Sequence, residues 1–207
     1  MHLEFLVEEA SLELALTQLL PKILPSTVSS KIHAFRGKTD LLAKLPNRLK
    51  GYQAWLPRDW KIVILIDEDR EDCLKLKQKL EIMTISAGLI TKSSCQKNKS
   101  FQVLNRIVVE ELEAWFFGDV EAIRQAYPKV SANLATKEKY RYPDAIKGGT
   151  WEALERVLQK AGYHQGGLEK YKAFSEISKY MNPESNRSKS FKVFYKALLE
   201  IIKSKQV

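Results

Sequence analysis

Five consecutive apolar residues, Ile62 to Ile66, stop at Asp67, and the stretch KIVILIDEDRED (61–72) then carries five carboxylates in six residues. A largely β-branched apolar run with no polar alternation suits a strand covered on both faces, and such strands belong almost entirely to α/β folds with parallel sheets. Two readings of the acids stand side by side. They bind something cationic, or they form the solvated first turn of a helix, where negative charge is favoured.

The rest of the first 120 residues supports the same class. HLEFLVEE reads as a strand ending near Glu8, and Ser11 can cap a helix whose apolar face is Leu12, Leu16, Leu19, Leu20 and Ile23. Pro21 and Pro25 leave the end of that helix open. SKIHAF is a second strand, followed by a turn at Arg36-Gly37-Lys38 and a helical pattern through Leu41, Leu42, Leu45, Leu49 and Tyr52, with a kink expected at Pro46. After WKIVILID, residues 74–87 are helical and Gly88 is a stop. FQVLNRIVVE is the fourth strand and runs into the helix-like EELEAWFFGD. Strands alternating with helices predict a mostly parallel, doubly wound sheet flanked by helices. Beyond Asp119 the pattern turns helical, through DVEAIRQAY, TWEALERVLQKAG, LEKYKAFSEISKY and SFKVFYKALLEIIKSK. The expected organisation is an α/β domain over 1–118 and a helical, basic extension over 119–207.

Charge is distributed unevenly. The chain of 207 residues carries a net charge of +9, divided as +2 over residues 1–60, −1 over 61–120 and +8 over 121–207. The basic last third fits a polyanion partner such as nucleic acid, or a bland solvated surface. No apolar run approaches the ~18–20 residues that a membrane span needs, and the start lacks the features of a secretion signal. With two cysteines, Cys73 and Cys95, at no metal-ligand spacing, a cytoplasmic protein with reduced thiols is expected.

In an open parallel sheet, ligands bind beyond the carboxyl ends of the strands. Glu8 and Glu9 close the first strand, Asp67, Glu68 and Asp69 the third, and Glu110, Glu111 and Glu113 follow the fourth. Parallel strands would bring these acids to one edge, where they repel unless a proton or cation sits among them. Asp67 and Asp69 point to the same side if the chain stays extended, and Mg²⁺ needs only one or two carboxylates besides water and substrate phosphate. His2, His33 and His164 stand alone and read as surface or satisfied core residues. No phosphate-binding glycine loop and no G-x-S-x-G elbow is present.

FLVEE and VILIDED resemble the ends of the first and third strands of the Toprim domain found in topoisomerases, primases and overcoming-lysogenization-type nucleases. More closely, FLVEE, GKTDLL and EELEAWFFGD are similar to an uncharacterised Toprim-related family known only as a domain of unknown function, whose members are often encoded beside an ATPase of the AAA or ABC type. The closer likeness runs over most of the chain. It implies a Toprim/Rossmann-like fold and a Mg²⁺- or Mn²⁺-dependent nuclease controlled by an ATPase partner in a defence-type system. On this resemblance Glu8 matches the acid–base or metal-binding glutamate, Asp67 and Asp69 the metal-binding aspartates, and Glu113 an acidic position of the closer family. Where the Toprim glutamate is usually followed by Gly, this chain has Glu9.

Lys38, beside the second strand, can reach a phosphate at the same edge or remain a solvated turn residue. Arg187, Lys189 and Lys192 in NRSKSFK resemble phosphate contacts, while Ser188 or Ser190 can equally cap the last helix. Tyr140, Tyr142 and Trp151 lie among Lys137, Lys139, Arg141 and Lys147, mixing aromatic and basic groups as single-strand binders do; at helical spacing aromatics also serve as core. A non-catalytic subunit docking on an ATPase is a second functional reading. A phosphoacceptor domain of the receiver type is a third, but the Lys-Pro it expects late in the domain is absent. A homo-oligomer is compatible with all three.

Overall fold

The structure, a computed structural model, describes residues 1–69, 71–96 and 100–203. Four strands, β1 (His2–Val7), β2 (Ser29–Ala34), β3 (Trp60–Asp67) and β4 (Val103–Val108), form one sheet in the order β2-β1-β3-β4. All four run parallel, and helices flank the sheet. This is the doubly wound α/β arrangement that the alternating pattern predicts, with the carboxyl ends of β1 and β3 side by side at the centre.

Helices α1 (Ala10–Ile23), α2 (Lys38–Trp55) and α3 (Cys73–Ser86) connect the strands. Pro21 and Pro46 lie inside α1 and α2 and terminate neither. An interior proline costs about 3 kcal/mol. In α2 it is offset by the burial of Leu41, Leu45, Leu49 and Tyr52, each contributing about 1.5–3 kcal/mol. That stripe packs with Leu76 and Leu80 of α3 on Leu6, Ile62, Ile64 and Ile66 of the sheet. Gly88, with φ +80°, lies just beyond the end of α3, in the left-handed conformation that glycine adopts without a Cβ penalty.

The chain packs as two compact units. The first comprises residues 1–13 and 26–107; the second comprises 14–25 and 108–203 of the described chain. The second unit is helical: α4 (Glu113–Gly118), α5 (Val120–Ala126), α6 (Thr150–Lys160), α7 (Lys170–Tyr180) and α8 (Lys189–Lys203), with short 3-10 turns at Ala132–Thr136, Glu138–Tyr140 and Pro143–Ala145. The last helix was expected to reach residue 205; residues 204–207 lie outside the described residues. The core of this unit is aromatic. Trp115 stacks on Phe194 with centroids 5.2 Å apart, Phe116 meets Phe174 edge-on, and Phe117 stacks on Tyr140. Lys22 donates to the carbonyls of Ser178, Lys179 and Met181, a favourable place for a cation because the end of α7 carries negative partial charge.

Candidate functional site

Glu8 follows the last residue of β1, and the turn after β2 is fastened to it, since Gly37 N–H donates to the Glu8 carbonyl at 2.9 Å. Gly37 has φ +100°, a backbone conformation that side chains resist, and this turn places Lys38 at the start of α2. The Glu8 carboxylate accepts a hydrogen bond of 3.1 Å from the Asp67 backbone N–H at the end of β3. The Asp67 side chain is buried. Burial pushes the Glu8 carboxyl up to about 7, helped by the charges of Asp69 and Glu9 and opposed by the Asp67 N–H and by Lys38. Near neutrality Glu8 is therefore divided between its two protonation states.

The remaining acids of the 67–72 cluster have separate tasks. Asp69 is not in extended conformation: its φ is +54°, so the same-side geometry expected for Asp67 and Asp69 ends at Asp67. Its carboxylate pairs with the Lys38 ammonium at 2.7 Å. Glu71 binds the same ammonium at 3.1 Å, and Lys38 also donates to the Glu68 carbonyl at 3.0 Å. Burial pulls the Lys38 pKa down, but these bonds and the field of Asp69 and Glu8 outweigh it and hold it above the usual value. Asp72 caps α3, accepting from the N–H groups of Leu74 and Lys75. Asp72 is the helix cap that the second reading of the cluster expects, while Asp69 and Glu71 pair with the Lys38 ammonium, a cation supplied by the protein itself.

Among the described residues, no group of three or more His, Cys, Asp and Glu side chains is placed to hold a metal ion. Glu8 and Asp67, on adjoining strand ends, are the carboxylates here that could contribute to holding a hard ion such as Mg²⁺, which takes the rest of its shell from water and substrate oxygen. Glu113 belongs to the second unit, where its side chain is buried at the start of α4.

Arg187, Lys189 and Lys192 are exposed at the start of α8. Arg187 is fixed by its own N–H to the Gly118 carbonyl and by its guanidinium to the Phe117 carbonyl. Ser188 accepts from Phe191 N–H, so it caps α8 as the alternative reading of this segment expects. Sequence reading missed the organising residue, Asp144. Its carboxylate accepts from the hydroxyls of Ser188 and Ser190 and from the N–H groups of Lys189 and Ser190. Gly118 is required nearby, because a Cβ there would lie 2.0 Å from the Asn186 side-chain oxygen.

A second basic feature was legible only in part. Lys137 and Lys139 do lie beside Tyr140, but Tyr140 is core, stacked on Phe117. The two lysines line a concavity of about 410 Å³ with Lys129, Arg156 and Lys160. No carboxylate pairs with any of the five cations among the described residues, so the concavity is a positively charged recess.

Among curated proteins, no sequence matches the chain significantly. A solved structure of the C-terminal region of the Xanthomonas campestris pv. campestris OLD protein is similar over 99% of this chain and 97% of that one, at 11% identity and a TM-score of 0.49. No helix among the described residues is long and apolar enough to cross a membrane. The sequence profile of the domain of unknown function DUF4276 matches residues 7–199, so it takes in both units and every candidate residue named above. The chain belongs to the DUF4276 family.

Proposed function

We propose that the protein hydrolyses phosphodiester bonds of nucleic acid at the acidic end of its sheet, with Mg²⁺ or Mn²⁺ as cofactor. The observation that carries this reading is Glu8: a carboxyl lifted to about 7, bonded to the backbone of a buried aspartate at the end of the neighbouring strand. A group poised near the working pH can take a proton from attacking water and return it to the leaving oxygen. Asp67 would hold the ion with water and substrate oxygen, leaving Glu8 for the proton transfer, and when bound the ion would supply Lewis-acid stabilisation of the charge developing on phosphate. Lys38, oriented by Asp69 and Glu71, would add a fixed positive charge beside the same oxygens. Support for the substrate class comes from the second unit, where the five-cation recess and the exposed Arg187, Lys189 and Lys192 suit a polyanion. Control by an AAA- or ABC-type ATPase in a defence-type system remains the expectation set by the family likeness.

The test is incubation of the purified protein with plasmid DNA and with total RNA in Mg²⁺, Mn²⁺ or EDTA, with and without the neighbouring ATPase and ATP. Cleavage in metal, lost in EDTA and in both Glu8→Ala and Asp67→Ala while nucleic-acid binding persists, is the expected result. Cleavage surviving both substitutions would place the chemistry elsewhere. The Lys38 ammonium, which already neutralises Asp69 and Glu71, favours one competing reading, a non-catalytic subunit that docks on the ATPase. Absence of cleavage under every condition would establish that reading instead.

A further inference from the structure

Towards the amino ends of the same strands, with Glu4 about 13 Å along β1 from Glu8 at ~3.3 Å per residue, the first unit carries an open cavity of about 450 Å³. This lies within the roughly 300–1,000 Å³ typical of small-molecule sites. The strand period of two puts His2 and Glu4 on one face, and the parallel register sets Lys31 opposite Glu4 and Trp60 opposite His2. Helix α2 covers this face with Arg48, Tyr52 and Trp55, three to four residues apart and therefore on one side of the helix.

The floor of the cavity is a buried carboxylate whose bonds are spent internally. Glu4 accepts from Tyr52 Oη at 2.8 Å and meets Nε2 of His2 at 2.9 Å and of His33 at 2.5 Å. Burial works to raise its pKa, but these bonds hold it below the usual value. The other ring nitrogens are engaged too, His2 with Ser29 Oγ and His33 with Arg48. Neither imidazole keeps a lone pair for a metal. The cavity is therefore a rigid, pre-organised cup rather than a metal centre.

Three features of the cup point to its ligand. Its wall is aromatic, with Trp55 5.3 Å from Tyr52 and 5.6 Å from Trp60 between ring centroids, and Trp55 is 55% exposed. Two cations, Lys31 and Arg48, line it with no carboxylate partner among the described residues, while the one acid is already committed. Gly51 lies inside α2 and lines the cavity, and a Cβ built on it meets nothing within 4 Å. A mid-helix glycine costs about 1 kcal/mol relative to alanine, and no neighbouring atom demands one here. The open space beside it belongs to the cavity. We propose that this cavity binds a nucleotide, with the planar base against the exposed Trp55 ring and the phosphate on Arg48 and Lys31.

The full-length protein would be titrated by calorimetry with nucleoside 5′-monophosphates, the corresponding nucleosides, inorganic phosphate and a pentanucleotide. Monophosphate should bind saturably, with nucleoside and phosphate alone each about tenfold weaker or worse, because stacking and charge both contribute. Trp55→Ala and Arg48→Ala should each weaken binding about tenfold. Gly51→Ala should raise the melting temperature of the free protein while lowering nucleotide affinity, a combination that a purely structural role would not produce. Titration in EDTA should give the same affinity as titration in Mg²⁺, which separates this cavity from the acidic edge. Pentanucleotide binding tighter than monophosphate and weakened by Trp55→Ala would identify a strand as the source of the nucleotide, and monophosphate binding the tighter of the two a free mononucleotide. No saturable binding of any nucleotide would overturn the proposal, as would affinities unmoved by the Trp55, Arg48 and Gly51 substitutions.

Discussion

Replacing Glu8 by Gln tests whether the sheet edge stores electrostatic repulsion. The ordinary glutamate value is 4.5 and the folded value is about 7. Between these pH values the native state binds more protons than the unfolded state, so stability must fall as pH rises through this window. The shift corresponds to at most about 3.4 kcal/mol at ~1.36 kcal/mol per unit. Because Glu8 is only half-buried, solvent screening reduces the expected loss to about 1–3 kcal/mol. Glutamine is neutral throughout and keeps an oxygen to accept the Asp67 N–H. In EDTA the variant and wild type should therefore be equally stable near pH 4. Through pH 4.5–7 the variant should become the more stable, and the gap should level off above pH 7. At roughly 2–4 °C per kcal/mol for a chain of this size, the melting temperatures should separate by about 2–12 °C. Urea unfolding at closely spaced pH values measures the gap directly. Parallel curves from pH 4 to 8 would refute the reasoning, since Glu8 would then have no folded-state shift to lose.

Adding Mg²⁺ at neutral pH should stabilise wild type, by about 2.7 kcal/mol at 100 times the dissociation constant, and Asp67→Asn/Asp69→Asn should lose this response. An equal response in both proteins would remove the acidic edge as the binding site. Reversing the charges of Arg187, Lys189 and Lys192 should weaken nucleic-acid binding and flatten its salt dependence, because each phosphate contact contributes a logarithmic slope of about 0.9. Filter binding across a salt series checks this, and an unchanged slope would make the cluster a solvated face. Asp144→Ala should destabilise the protein by about 1–3 kcal/mol, since it removes the acceptor for four donors around the start of α8. Chemical denaturation measures it, and a loss below about 0.5 kcal/mol, within the range of ordinary surface changes, would count against the network.

The parts legible in the sequence were those set by local periodicity. The apolar run 62–66 stopping at Asp67, and the strand pattern stopping at Glu8, located the sheet edge because parallel strands must bring their carboxyl ends together. The prolines in α1 and α2 were ambiguous because propensity weighs the broken hydrogen bond but not the leucines buried on the same helix. Tertiary partners left no local trace. Asp144 meets the start of α8 across 44 residues of chain, in a segment without periodicity. His2 and His33, read as isolated residues, converge on Glu4 only through the β1–β2 register. The left-handed turn at Asp69 redirects its carboxylate to Lys38, and no spacing rule that assumes extended chain can show that.

This redistribution of the five acids gives the edge a definite response to cations. Asp72 caps α3 and Asp69 and Glu71 pair with Lys38, while the Glu8 carboxyl beside them has its pKa pushed up to about 7. A divalent ion entering beside Asp67 would favour the ionised form of Glu8, and ligands must shed protons to bind metal. Near neutral pH metal binding should therefore release a fraction of a proton per chain, the part that Glu8 retains there. The yield should rise as pH falls towards 6 and vanish above about 8. Calorimetric titration of Mg²⁺ in buffers of different ionisation enthalpy reads this number. Glu8→Gln should abolish the release even where some metal affinity remains, and release that persists in that variant would assign the proton to another group.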